Sequence, residues 1–341
     1  MGARPEPVDL YRQMCRIREV ERAVADLWQA GLVSGEMHLG LGEEATVAGV
    51  VAHLRDGDGL SVDYRSTPPF VARGVDLASL FRELLGDPGG LDGGRGGHMH
   101  LLSPEQCAAA SGIVGAPAPV ACGFGLAAQQ AGRGGVAVAL FGDGAVNEGM
   151  VMEALNLAAV WRLPVVFVCK DNRWAVTTRS AALTGGGLRR RAVGLGVPVT
   201  RVDGRDAVAV WHAAGRAVAR ARRGGGPTFL LARVERLEGH FLDDPLVRIA
   251  TDTHELGAEV LPLLRGLRGS GAPVWARARA LGSLTRTIGT AALDGVRPRR
   301  DPLPAMRRRL PAATADLVEG AARAEVGEAL RAANAEGAGH A

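Results

Sequence analysis

The sequence predicts an α/β protein, a doubly wound, mostly parallel sheet with helices on both faces and a helical C-terminal appendage. Three observations carry that expectation. The short apolar runs 136–141 and 165–169 have the composition of strands buried on both faces. Between them, residues 147–161 place Met150, Ala154, Leu157, Ala158 and Trp161 at helical spacing, and Pro164 stops the helix. Farther on, 197–202 and 229–234 repeat the strand pattern around a helical stretch at 207–222. Strands alternating with helices in this way build a sheet wound in both directions.

The other elements follow in order. Residues 8–30 align Leu10, Met14, Ile17, Val20, Val24 and Leu27 on one face, which predicts an amphipathic helix ending at Gly31. Helices are expected at 43–54 and 76–85, with a short strand at 59–63 that ends in Tyr64-Arg65. A glycine-rich segment, 86–97, precedes a helix packed by small residues at 115–130. Within it, Gly123-Phe124-Gly125 imitates a dinucleotide fingerprint but follows no strand, so the match carries no weight. From 251 to 299 the texture turns to Ala, Leu, Arg and Gly without a catalytic arrangement, and a last amphipathic helix is expected at 312–333. One α/β domain over 1–250 and a helical appendage over 251–341 are therefore expected.

Composition excludes several function classes. The formal net charge is +4, and Lys170 is the only lysine, the other basic residues being arginine. Arginines cluster at 189–191, 220–223 and 307–309 without interleaved aromatics, so they read as solvated faces and no nucleic-acid partner is expected. Cys15, Cys107, Cys122 and Cys169 show no paired spacing and read as reduced thiols, which points to the cytoplasm. No charged leader and no apolar run of membrane length is present, so neither export nor a membrane is expected.

The chemistry concentrates at two loop tips. Parallel strands joined by a right-handed crossover end on the same side, where open sheets bind ligands, so Gly142-Asp143-Gly144-Ala145 and Asp171-Asn172-Arg173-Trp174 should converge. One carboxylate from Asp143, one amide oxygen from Asn172 and the backbone carbonyl of Trp174 are donors that suit magnesium when phosphate oxygens complete its shell. Gly142 and Gly144 leave backbone amides open to a diphosphate, and the following helix points its positive end there. Gly-Asp-Gly alone is an ordinary turn. Its second half, a full strand–helix–strand later, makes the pair match the motif that binds thiamine diphosphate with Mg2+.

With that motif the chain resembles the alpha subunit of the thiamine diphosphate-dependent decarboxylase (dehydrogenase) component of 2-oxo acid dehydrogenase complexes. The pyruvate and acetoin types look nearest. The resemblance runs over residues 10–248 and resumes weakly from 300, and it implies the thiamine diphosphate-binding fold. Gly35-Glu36-Met37-His38 with Gly42-Glu43-Glu44-Ala45 resembles the family loop whose histidine faces substrate. Tyr64-Arg65 matches the pair that grips the diphosphate, and a phenol with a forked guanidinium suits phosphate oxygens. Gly96-Gly97-His98-Met99-His100 resembles Gly-Gly-Ser-Met-His and puts His100 in the active-site loop; His98 and His100 lack a third ligand for zinc. Gly112-Ile113-Val114-Gly115 resembles the segment along the aminopyrimidine, where Val114 would hold the cofactor bent. Gly239-His240-Phe241 matches the loop whose histidine contacts the diphosphate, and Phe241, where the mammalian pyruvate enzyme has serine, excludes regulatory phosphorylation there.

The resemblance also implies partners. A glutamate that activates the aminopyrimidine comes from a beta subunit in an α2β2 heterotetramer, and the acyl unit passes to a lipoyl-bearing acyltransferase. His38, His100 and His240 are the candidates for proton transfer. Two departures stand out: Ser66-Thr67-Pro68 replaces the usual residue followed by His-Gly, and 251–299 replaces a short loop and polar helix. They leave two rivals open. One is a specialised two-carbon or acyl transfer from a ketose phosphate or 2-oxo acid to a carrier-protein or lipoyl thiol. The other is a non-catalytic regulatory subunit, against which the intact Tyr64, Arg65, Asp143, Asn172 and His240 speak.

Overall fold

The structure, a computed structural model, describes residues 6–244, 262, 265–266, 271–296 and 300–337. The first half holds α1 (Pro7–Gln29), α2 (Glu44–Val51), β1 (Gly59–Val62), α3 (Thr67–Arg73), α4 (Leu77–Leu85), β2 (Leu102–Ser103), β3 (Ala108–Ala110) and α5 (Pro117–Ala131). Then come β4 (Ala137–Gly142), α6 (Gly149–Trp161), β5 (Val165–Asp171), β6 (Trp174–Ala175), β7 (Thr178–Arg179), α7 (Ser180–Leu183), α8 (Leu188–Gly194), β8 (Val199–Asp203), α9 (Ala207–Arg222) and β9 (Thr228–Arg233). Three further helices are Val274–Val296, Pro302–Arg307 and Ala312–Gly337.

Among the described residues the main sheet has seven strands in the order β2-β3-β1-β4-β5-β9-β8. Only β2 runs antiparallel to its neighbour; the other pairs are parallel. Side chains alternate across it as the two-residue period demands. Val138, Leu140, Val166, Val168 and Leu230 join a core with α1, α2, α3, α4 and α9, while Ala139, Phe141, Val165, Phe167 and Phe229 join a second core with α5, α6 and α8. The sheet is thus covered on both faces, the doubly wound arrangement expected. From the adjacent strands β1 and β4 the chain proceeds in opposite directions, to β3 and to β5. A crevice opens at such a switch point, outside the carboxyl ends of the strands.

Some local expectations are corrected. A helix that the sequence reading did not foresee, α3, begins at Thr67: Pro68 and Pro69 sit in its first turn, where their missing N–H groups are tolerated. The helix expected from 147 starts at Gly149, after a 3-10 turn over Asp143–Asn147. The boundary expected at 250 lies outside the described residues. The C-terminal helices are fastened to α1: Arg18 bonds Asp301 at 3.0 Å, Arg16 bonds Glu325 at 2.7 Å, and Tyr11 donates to Glu319. No described helix is long and apolar enough to cross a membrane.

Candidate active site

The two loop tips of the motif meet. A Cβ on Gly144 would lie 2.9 Å from the Cβ of Ala175, so the turn after β4 touches the β6–β7 hairpin at a spot where only glycine fits. Asp143 is 1% exposed and accepts a hydrogen bond from Ser180 Oγ. Burial, aided by the nearby carboxylate of Asp171, pushes its carboxyl up to about 7. Asn172 Oδ1 accepts the Trp174 N–H at 2.8 Å, which sets the tip of the second turn, and the Arg179 guanidinium lies 4.9 Å from the Trp174 ring centre. A carboxylate that burial holds partly protonated near neutrality gains from a divalent cation. Among the described residues no group of three or more His, Cys, Asp or Glu could hold a metal, so the oxygens of a ligand would have to complete its shell. Hard oxygen donors of this kind fit magnesium with a diphosphate.

A second wall of the site is made of rings. His38 and His240 meet edge to face with centres 4.9 Å apart, Tyr64 lies 4.7 Å from His38, and His98 Nε2 lies 3.4 Å from His38 Nδ1. All three imidazoles are nearly inaccessible. Burial, with the charge of Arg65 adding to it, lowers His38 and His98 to about 4 and His240 to about 3 from an ordinary 6.5. They are therefore neutral at pH 7, each with one N–H and one lone pair. Burial likewise raises the Tyr64 phenol, and burial beside Arg65 lowers Arg236 to about 10. Two guanidiniums facing neutral imidazoles make a pocket suited to an anion.

Backbone and buried ions hold that wall together. Leu242 N–H donates to Met37 O at 2.8 Å and Leu237 N–H to Leu41 O at 3.2 Å, lacing the His240 loop to the His38 loop. At Gly42, with φ 97°, a Cβ would lie 2.3 Å from Glu235 O, so no other residue permits this approach. Arg65 bridges both loops, donating to His240 O at 2.8 Å and to Leu39 O. The fork expected at the phosphates donates here to two carbonyls. Lys170, 1% exposed, bonds Glu43 at 2.7 Å and Asp63 at 3.1 Å. Burial works against its charge, but those two carboxylates hold the ammonium above its ordinary range. The glycine-rich segment wraps on one carboxylate: Glu83 accepts the N–H groups of Asp92, Gly94, Gly96 and Gly97 at 2.6, 2.9, 2.7 and 3.3 Å.

The structure thus brings His38, Tyr64, Arg65 and His240 together, and Gly142, Asp143, Gly144, Ala145, Asn172 and Trp174 at the neighbouring strand ends. His100 is exposed, within electrostatic reach of His98, with its Nε2 3.1 Å from where a Cβ on Gly112 would stand. Ile113 and Val114 are 61% and 43% exposed. Sequence reasoning weighed His98 only as a metal ligand and missed Arg236, Glu83 and the Lys170 triad. A signal existed for two of them: His98 interrupts a family pattern, and Lys170 is a lone lysine in an apolar strand.

Sheet order and site position define the class, a doubly wound domain of the thiamine diphosphate-binding fold. Transketolase from Campylobacter jejuni shares this fold with a TM-score of 0.51 at 20% identity, over 66% of this chain but only 37% of that one. The model of the dehydrogenase E1 component family matches residues 12–256, and the chain belongs to that family. Membership implies thiamine diphosphate as cofactor and dehydrogenase chemistry. The alpha subunit of acetoin:2,6-dichlorophenolindophenol oxidoreductase from Cupriavidus necator is 42% identical over 237 residues, 69% of this chain and 71% of that one. The alpha subunit of the pyruvate dehydrogenase E1 component from Rhizobium meliloti is 37% identical over 247 residues, 71% of this chain and 70% of that one.

Proposed function

We propose that this chain is the alpha subunit of a thiamine diphosphate-dependent 2-oxo acid or acetoin dehydrogenase, working with a beta subunit in an α2β2 assembly and passing an acyl unit to a lipoyl group. The observation that carries it is the meeting of the Asp143 turn and the Asn172–Trp174 turn beside a pocket of two arginines and neutral histidines.

Asp143, Asn172 and the Trp174 carbonyl would hold Mg2+, with Gly142, Gly144 and Ala145 along the diphosphate and Tyr64, Arg65 and His240 on its other side. Gly112 and Val114 would lie along the aminopyrimidine. When bound, thiamine diphosphate supplies a nucleophilic thiazolium carbon and then an electron sink while the substrate bond breaks. Arg236, buried near Arg65, would add positive charge for an anionic group of the substrate. His38 and His240, neutral near pH 7, can each donate an N–H to developing negative charge or accept a proton at the bare nitrogen. Their burial keeps bulk water from the reacting carbonyl. His100 is the candidate histidine that is open to solvent.

Ile113 and Val114, the apolar pair expected along the aminopyrimidine, are exposed and so open to a second chain. Four free cysteines support the cytoplasmic placement. A specialised acyl transfer to a carrier-protein thiol stays as a second reading, favoured by Thr67 and His98 standing where the family usually has histidine and serine. To test both, the chain is co-purified with a beta-type partner and offered 2-oxo acids, acetoin and ketose phosphates, with substrate loss and reduction of an artificial acceptor as readouts. Consumption of a 2-oxo acid or acetoin only when both chains are present is expected. Turnover by the isolated chain, or consumption of ketose phosphates alone, would contradict the first reading.

A further inference from the structure

One departure from the family pattern, His98 in place of serine, is held next to the segment that carries the other. Ser66 Oγ donates to the backbone carbonyl of His98, which pins the end of the glycine-rich segment to the start of α3. His98, where the family pattern has serine, thereby brings a further imidazole to the ring wall. His98 is 7% exposed and stacks on His38, ring centres 5.8 Å apart at 24°. The contact is between specific atoms, His98 Nε2 and His38 Nδ1, at 3.4 Å. Glu36 offers its backbone carbonyl to both rings.

A neutral imidazole carries hydrogen on one nitrogen and a lone pair on the other. Two such rings meeting nitrogen to nitrogen keep the contact only when one donates and the other accepts. Each choice then determines the far nitrogen of both rings. If His98 donates, His38 Nδ1 is bare and its Nε2 carries the hydrogen; if His38 donates, its Nε2 is bare. Burial removes the water that would let the two states interchange freely in partnership with solvent.

We propose that His98 is a positioning residue: its Nε2 accepts from His38 Nδ1, which keeps the hydrogen of His38 on Nδ1 and leaves Nε2 as the bare nitrogen for the substrate. Its catalytic meaning rests on the function proposed above, whereas the tautomer is a property of this chain alone. Glu83 extends the device. By gathering four loop amides it sets where the segment ends and His98 begins.

The test is a long-range proton–nitrogen spectrum of the full chain labelled with 15N-histidine at pH 7, with His38 assigned by its loss in His38→Ala. In the unmodified chain His38 shows one dominant tautomer, with the hydrogen on Nδ1. In His98→Ser, and in His98→Phe, which keeps a ring without nitrogens, the bias falls by about fivefold to tenfold, the preference one neutral hydrogen bond supplies. His98→Gln, with hydrogen-bonding atoms at a similar reach, restores a single form. A His38 tautomer unchanged in both the Ser and Phe variants overturns the proposal, as does an already mixed signal in the unmodified chain. Calorimetry of thiamine diphosphate binding to the same chain assembled with a beta-type partner separates the two questions: failure there sinks the functional reading and leaves the tautomer result standing.

Discussion

The two walls of the site are built in opposite ways. The metal wall comes from one continuous stretch, β4 through the β6–β7 hairpin, in which sequence order and spatial order coincide. The imidazole wall gathers His38, Tyr64, His98 and His240 from four separate loops, and no two of its histidines are near in sequence. The first is positioned by strand pairing; the second depends on buried ions and loop lacing. A site can therefore lose one wall while keeping the other.

Lys170 joins the two, since it lies on β5 and bonds Glu43 and Asp63 behind the rings. Replacing it by Met leaves two carboxylates buried without a cation, and we expect a loss of about 3–5 kcal/mol in urea denaturation. A loss under about 1 kcal/mol would mean that the triad is not what holds the walls together. Asp143→Ala breaks only the metal wall. Magnesium-dependent affinity for thiamine diphosphate should fall more than about a hundredfold, beyond the usual effect of losing an outer-shell partner. Circular dichroism and the His38–His98 contact should stay as they are; a collapse of both would erase the distinction between the walls.

Acid sharpens the comparison from the other side. The three histidines have folded values below the ordinary 6.5, so the unfolded chain binds more protons as pH falls, and stability contributed above 6.5 is lost on descending toward about 4. His98→Ser should make that fall shallower by about 1 kcal/mol per pH unit. Identical slopes in the two proteins would show that His98 is not held neutral. The smallest effect belongs to neither wall: Asp76, whose side chain accepts the Ser79 N–H at the start of α4, should cost about 1 kcal/mol as Asp76→Ala without touching cofactor affinity.

The same contrast explains what the sequence disclosed. Apolar runs at β4, β5 and β9, and the spacing along α6, are local patterns, so the sheet and the convergence of Asp143 with Asn172 were legible. The helix at 207–222 coincides with α9. By contrast, α3 was hidden because Pro68-Pro69 usually signals a loop, and only the packed setting of Phe70 and Val71 shows those prolines in a first turn. His98 was legible as a residue type but not as a neighbour of His38, since the contact depends on Glu83 folding a glycine-rich segment of no regular period. Arg236 carried no sequence signal, because a lone arginine after a strand is ordinary. His100 was paired with the other histidines by pattern, and the structure sets it at the rim beside Gly112.

The most direct test of the central claim is a calorimetric titration of thiamine diphosphate into the assembled alpha and beta chains, once with magnesium and once with a chelator. Tight binding that appears with magnesium and vanishes without it, in protein carrying Asp143, is the result expected. Equal affinity in both buffers would contradict a metal-bridged diphosphate at the ends of β4 and β5.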